Sequence, residues 1–596
     1  MIISTFSTND RIFLSWRENG EKKSEIKKFR PYFFVDNEHR EIKSYKPSKY
    51  IKREFEYEEG EWYSLEGTKL KKVYVESSED VKIAKDRFIQ TWEADVKYHH
   101  RYAVDNLSKL PEYNMRKWYW DMEWQQGGEY HDCITIIVMY DNYDEDYYQW
   151  VWFPKDKNPK GKEGTIGRPY HRLVLAQKKM IGKEKRRTDS SLRVFNSEKD
   201  MIENFINTML VKDPDMLIAW FGLKFDLPKL IDRCCALGVN PLRLSPYAKV
   251  SNVFPTKEGH RFTKAEDGFS PISQPIGGRV CLNLDLAFER QWNDSQRGTL
   301  PSLSLDYISE TILGRNKLKS EKFPDPNEFY RRAWLEDTET YLQYALIDVE
   351  LMVEIDESNY CSEAILALQR LLVGPFDACF YASHMGGIYF MRNATWKAPT
   401  GFRPKNKVCN SCGEINDKKA KVCKKCKESL SYQGAMVYDP LSESTNGLHK
   451  GVAAFDFAGL YPSMILARNI SFETISDTPT EFGANLATPK DFSICDEKDM
   501  VYFKTDKLGL LPTAVLELKE LRNQYKAKMK EAKGRDSEYV KWHNNQMAVK
   551  RLMASFYGIL AFTGFGWSNV KLAESITASA REAIRSAAFK AKEMKI

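Results

Sequence analysis

The chain has 596 residues, 42% of them hydrophobic, which is enough for several domains with ordinary apolar cores. Lys and Arg number 90 against 83 Asp and Glu, and the resulting +7 is too mild to demand a polyanionic partner, yet compatible with one if carboxylates collect in metal sites. No apolar run approaches membrane-spanning length, and the start M-I-I-S-T-F-S lacks a charged-then-apolar secretory pattern, so no membrane association is expected. Eleven cysteines, an odd number with four in one cluster, fit a reducing, intracellular setting.

Residues 1–108 alternate short strand-like runs with charged turns, Ile12–Trp16 and Tyr32–Val35 among them, and form an expected α+β region. A second domain opens near Trp118. In W-Y-W-D-M-E-W, Asp121 and Glu123 fall on one side of a strand, because side chains alternate with period two. Two carboxylates pointing the same way require a cation or solvent. Cys133–Tyr140 and Tyr147–Phe153 read as a hairpin, followed by a helix capped at Ser197 and an apolar strand, Met216–Trp220. F-G-L-K-F-D comes next and ends on Asp226. Later, Tyr341–Met352 reads as a helix with Tyr344 and Asp348 at i and i+4 on one face.

Singly, each of these acids suits a surface or capping role. In this order, D-x-E, F-D and Y-x-x-x-D resemble the three motifs of a 3′–5′ proofreading exonuclease of the DEDDy, RNase H-like type. The resemblance implies Asp121, Glu123, Asp226 and Asp348 as ligands of two Mg2+ (or Mn2+) ions about 4 Å apart, with Tyr344 orienting the attacking water. Phe221 stands where the second motif commonly has an Asn that contacts the bound strand end. R-G-T-L-P-S-L-S-L-D-Y-I-S (297–309) also resembles this domain, with a helix start serving packing. Asp285, at the end of an apolar run, is expected to be structural, with a place facing the same cleft as the other reading.

C-N-S-C (409–412) and C-K-K-C (423–426) place Cys409, Cys412, Cys423 and Cys426 in a C-x2-C-x10-C-x2-C pattern. Four thiolates so spaced suit a tetrahedral structural Zn2+, and two redox dithiols are the other reading. Lys418, Lys419, Lys421, Lys424, Lys425 and Lys427 make this ribbon basic.

D-F-A-G-L-Y-P-S-M-I (456–465) follows an apolar strand-like run, Val452–Phe455, and Pro462-Ser463 could open a helix. From Pro512 to about Lys533 the pattern is helical, it breaks at Gly534, and a second helix is expected from Ser537 to Ala554. Arg522 and Lys526 share a face on the first helix, as do Gln546 and Lys550 on the second. The decapeptide resembles D-x-x-S-L-Y-P-S-I-I, the first polymerase motif of family B DNA polymerases, with Gly459 in place of Ser. L-R-N-Q-Y-K-A-K-M-K and Q-M-A-V-K-R-L-M-A-S-F-Y-G resemble that family's fingers, Ala554 replacing an Asn. Y-Q-G-A (432–435) resembles its Y-x-G-G segment, and F-R-P-Y-F-F-V (29–35) and T-W-E-A-D-V-K-Y-H-H-R-Y-A-V-D (91–105) resemble its archaeal-type N-terminal domain.

The resemblance implies a DNA-directed DNA polymerase acting on primer–template DNA and dNTPs. Asp456 would bind metal and Tyr461 exclude ribose, Arg522, Lys526 and Lys550 would hold the triphosphate, and Tyr557 would lie near the new base pair. The fold expected is multidomain α/β and α+β. It comprises an N-terminal domain (1–108), exonuclease (109–365), palm start (366–400), zinc-ribbon insertion (401–431), palm (432–508), fingers (509–558) and palm return (559–596). After Gly558 the only acids are Glu574, Glu582 and Glu593, so the second catalytic Asp of the family's Y-x-D-T-D-S hairpin is not found, nor the thumb. The expectation is the large subunit of a split polymerase completed by a second polypeptide, in a prokaryotic or virus-infected cell. An intein-interrupted product or a truncated frame are the other origins. A stand-alone 3′–5′ exonuclease and a non-catalytic DNA-binding scaffold are the rival functions.

Overall fold

The computed structural model describes the chain except residues 6–9, 39–54, 66, 155–170, 176–187, 264–265, 295–297, 395–406, 409–413, 418–419, 428–433, 435–449, 452–455, 487–499, 563–564 and 595–596. It divides into two compact units, the first made of Met1–Phe6, Arg11–Phe29 and Leu107–Asp377, the second of Ser7–Asp10, Arg30–Asn106 and Ala378–Ile596.

The first unit is built on a seven-stranded mixed sheet with strands in the order His171–Leu175, Thr188–Phe195, Asp146–Trp152, Ile134–Asp141, Lys117–Trp124, Met216–Ala219, Val280–Asn283. The expected hairpin is present, Ile134–Asp141 pairing antiparallel with Asp146–Trp152, while Lys117–Trp124, Met216–Ala219 and Val280–Asn283 run parallel. The pleat of Lys117–Trp124 sorts its side chains. Trp118 and Trp120 pack against Phe205 of helix Glu198–Lys212, with ring centroids 6.1 and 6.3 Å apart. On the other side, the Tyr119 hydroxyl donates to Asp356 Oδ2 (2.6 Å) on helix Thr338–Asn359. Asp121 and Glu123 share that side.

Ser197 caps helix Glu198–Lys212 as expected, its hydroxyl accepting from the Asp200 amide at 3.1 Å. Ser304 likewise caps Leu305–Leu313. The strand before Asp285 ends at Asn283, and Asp285 belongs to helix Leu284–Asp294. A three-stranded antiparallel sheet, Ile2–Thr5, Arg11–Glu18 and Glu21–Lys28, belongs to the same unit. It is tied in by charge: Arg17 Nε donates to buried Asp215 (2.5 Å), and Lys22 and Arg279 both reach Asp213, at 3.1 and 2.6 Å.

The second unit holds a sheet in the order Tyr32–Asp36, Lys69–Tyr74, Glu56–Tyr63, and another in the order Ile475–Ser476, Met500–Phe503, Phe482–Asn485. Its long elements are helices Leu510–Glu531, Asp536–Ala561 and Val570–Glu593. The second helix of the antiparallel pair thus runs past the expected end at Ala554. Buried Phe556, Ile559 and Leu560 continue its apolar face, and Gly558 is accommodated inside it. Phe390, on helix Ala382–Asn393, anchors the core against Phe556, Phe565 and Trp567, at centroid distances of 5.0, 6.3 and 5.7 Å. On the same helix Gly386 permits close approach, since a Cβ there would sit 2.1 Å from Ile559 Cδ1. The strand expected at 452–455, most of Y-Q-G-A, and Cys409, Cys412, Lys418 and Lys419 of the ribbon lie outside the described residues.

Candidate active site

Three elements of the first unit converge on one cleft. Strand Lys117–Trp124 brings Asp121 and Glu123, and helix Thr338–Asn359 brings Tyr344 and Asp348. One oxygen each from Asp121, Glu123 and Asp348 lies within 4.8 Å of the others. Asp226, the first residue of helix Asp226–Ala236, is 4% exposed and feels the charge of Asp121 from the third side.

Crowding buried acids disfavours their charge. Burial, then the Asp348 charge, pushes the Asp121 carboxyl up to about 7. Burial and the charges of Asp121 and Asp348 push Glu123 well up, and burial and Asp121 do the same to Asp226. Asp348 is raised by burial although Lys317 opposes the shift. Burial, then Asp348 and Glu123, hold the Tyr344 phenol far above its usual range, so it is a neutral hydroxyl.

Sequence reasoning passed over Lys317. Its Nζ donates to Asp348 Oδ2 at 2.7 Å and to the Tyr344 hydroxyl at 3.3 Å. Burial works against its charge, but Asp348, Asp121 and Glu123 outweigh that and keep it protonated. Its backbone is fixed by Asp306, whose Oδ1 accepts from the Lys317 amide at 2.8 Å. Nothing in R-N-K-L-K-S distinguishes this lysine from the other 89 basic residues, because only the folded loop carries it inward.

The donor set suits a divalent cation. It is all oxygen, it is crowded with negative charge, and Asp348 Oδ1 is buried with no hydrogen-bond partner.

Phe221 has φ +55°, a left-handed conformation that a bulky side chain rarely adopts and Asn tolerates. Its amide is held by Asp285 Oδ1 at 3.0 Å. Burial pushes the Asp285 carboxyl up to about 6, and its observed use is to fix this turn.

In the second unit, Asp456 is exposed and is followed by Gly459 at φ +72°, which begins helix Leu460–Ala467. The helix therefore starts two residues before Pro462, and the left-handed start accounts for a Gly at 459. The rings of Tyr461 and Tyr557 meet at 4.5 Å. Arg522 Nε donates to Gln546 Oε1 at 3.2 Å, joining the two long helices. The Lys526 ammonium pKa is lowered first by Arg522 and then by burial, Lys530 and Lys550, so these four cations crowd one region. Lys530 is the member that sequence reasoning did not name.

Two family models match. The model for DNA polymerase family B covers residues 405–595, which include Asp456, Tyr461, Arg522, Lys526, Lys550 and Tyr557. The model for the DNA polymerase family B exonuclease domain covers 156–287, which include Asp226. Residues 156–287 and 405–595 thus match the family B DNA polymerases. It is 24% identical to a DNA polymerase of Pyrococcus glycovorans over 600 residues, 95% of this chain and 65% of that protein. It is 28% identical to a DNA-directed DNA polymerase of Escherichia phage RB69 over 372 residues, 60% of this chain and 35% of that one. The fold is similar to the family B DNA polymerase of Pyrobaculum calidifontis, with TM-score 0.65 and 18% identity, over 99% of this chain and 71% of that chain. Among the curated relatives matched, the chain spans 65% of the Pyrococcus glycovorans protein and 44% of a Thermococcus DNA polymerase. These relatives are single chains, so they lend no support to a separate second polypeptide.

Proposed function

We propose that the first unit is a 3′–5′ exonuclease and that the second carries part of a template-directed DNA polymerase, acting on primer–template DNA with dNTPs. The observation that supports the exonuclease most is the gathering of Asp121, Glu123 and Asp348 oxygens within 4.8 Å, with the Tyr344 hydroxyl beside them. Asp121, Glu123, Asp226 and Asp348 would hold Mg2+ or Mn2+. A divalent cation bound there supplies Lewis acidity that makes water a nucleophile near neutral pH and takes up charge as the strand end leaves. Tyr344 orients that water toward the terminal phosphorus, and the P–O3′ bond breaks to free a mononucleotide. Lys317 supplies fixed positive charge at Asp348 and fixes the Tyr344 oxygen.

In the polymerase part, Asp456 would hold a cation, Tyr461 would bar a ribose, and Tyr557 would face the nascent pair. The primer 3′-hydroxyl attacks the α-phosphorus and pyrophosphate leaves. Arg522, Lys526 and Lys550 meet its charge. This reaction needs a second carboxylate opposite Asp456. The cysteine cluster would hold a structural Zn2+. The Cys423 Sγ accepts from the Lys425 amide at 3.4 Å and Asn416 Nδ2 at 3.6 Å. Burial opposes ionisation of Cys423, but the amides of Cys426 and Lys425 and the Asn416 side chain outweigh it and bring its pKa down to about 6.

Mg2+-dependent trimming of single-stranded 3′ ends by the chain, lost in Asp121→Ala, tests the exonuclease. Binding of such strands without any trimming would leave the scaffold reading instead.

A further inference from the structure

The Tyr344 hydroxyl has a neighbour that no motif assigns. Tyr330 is on helix Pro326–Glu336, and its hydroxyl lies 2.8 Å from that of Tyr344. The two rings meet edge-on, 6.0 Å apart at 85°.

A phenol has one proton to give and two lone pairs to receive. Lys317 can only donate, so at 3.3 Å it takes one lone pair of the Tyr344 oxygen. The bond to Tyr330 then decides where the single Tyr344 proton points. If Tyr344 donated to Tyr330, its proton would turn away from the carboxylates. If Tyr330 donates, both lone pairs of Tyr344 are occupied and its proton is left for the side of the site where Asp348 sits, since Lys317 Nζ touches both the Tyr344 hydroxyl and Asp348 Oδ2. Asp348, ion-paired with Lys317 at 2.7 Å, is a stronger acceptor than a phenol oxygen, which favours the second arrangement.

We propose that Tyr330 is a positioning residue of this site: its hydroxyl donates to Tyr344 and so keeps the single Tyr344 proton on the carboxylate side of the site, available to the reacting water. The inference rests on the exonuclease reading above. Tyr330 is itself held from both sides. Its carbonyl accepts from Gln125 Nε2 at 2.9 Å, and Gln125 is a buried residue two positions beyond Glu123. Its neighbour Phe329 packs edge-on against the Tyr344 ring at 5.1 Å. The residue that directly follows the strand carrying two of the acids therefore also holds the helix that carries Tyr330.

The test is steady-state trimming of a single-stranded 3′ end with Mg2+ by the unaltered chain, Tyr330→Phe, Tyr344→Phe and the double variant. Phe keeps the ring and its packing and removes only the hydroxyl. Turnover in Tyr330→Phe should fall roughly 3- to 10-fold, the loss expected for one hydrogen bond, with the half-saturating strand concentration unchanged. The double variant should be no slower than Tyr344→Phe alone, because Tyr330 acts only through that hydroxyl. Turnover equal to the unaltered chain would overturn the inference, as would a Tyr330→Phe loss that persists at full size in the Tyr344→Phe background. The background comparison decides even if Tyr330→Phe lowers the unfolding midpoint. An unaltered chain that trims nothing would instead overturn the exonuclease reading, and this inference with it.

Discussion

Lys317 Nζ lies 2.7 Å from Asp348 Oδ2, so a loop between two helices delivers one cation into a group of four carboxyls. Removing it as Lys317→Ala should destabilise the chain in EDTA, by more at pH 8 than at pH 5. At the lower pH more of the acids are already protonated and need less compensation. Thermal unfolding at the two pH values measures this.

Asp121 makes the same point with the opposite sign. Its folded pKa of about 7 stands above the ordinary value of 3.8, so the folded state binds the extra proton. The resulting stability is present below the unfolded value and is lost as pH rises through about 7. Asp121→Asn should therefore exceed the unaltered chain in stability by ~1–2 kcal/mol at pH 8 in EDTA, allowing for the open side of the cleft, with the difference vanishing near pH 4. The same variant should trim 3′ ends more than about 100-fold slower, beyond the loss typical of an outer-shell partner. A variant both more stable and inactive is what an electrostatically strained metal cluster requires.

The four crowded cations of the long helix pair should act on triphosphate. Lys550→Ala and Arg522→Ala are each expected to weaken dNTP binding to the chain on primed template by roughly 10- to 100-fold, the cost of a lost charge-assisted bond. Fluorescence titration measures it. Unchanged affinity in both would remove these residues from the nucleotide site.

At Phe221, the left-handed backbone penalises the residue present. Phe221→Asn should raise unfolding stability by ~1 kcal/mol, read from urea midpoints. An equal or lower midpoint would show that the aromatic ring contributes more than its backbone costs.

For the cysteine cluster, metal analysis of purified chain is expected to return about one zinc, and none after Cys423→Ser. A metal-free unaltered chain would end the ribbon reading.

Much of the first unit was legible in the residues because its signals are local. Alternation in W-Y-W-D-M-E-W and the i, i+4 pair Tyr344 and Asp348 state which face each acid occupies, and the fold then has only to bring the two faces together. Ser197 announced its helix for the same reason. Lys317 and Tyr330 were not legible. Each reaches Tyr344 from a separate element, 27 and 14 residues away in the chain, with no periodicity linking it to the site. The helix runs past the end expected at Ala554 because the buried apolar face that carries it through Gly558 depends on packing partners such as Phe390. Gly459 seemed a mere departure from a pattern until its φ of +72° supplied the physical reason.

The two-sided strand Lys117–Trp124 has a bearing on how this protein tolerates insertions. Slipping its register by a single residue would aim both acids at Phe205 and drive two tryptophans into the polar cleft, so the error would appear as misfolding and not as a sluggish enzyme. Any copy of the chain that assembles this sheet at all carries its acids facing the cleft.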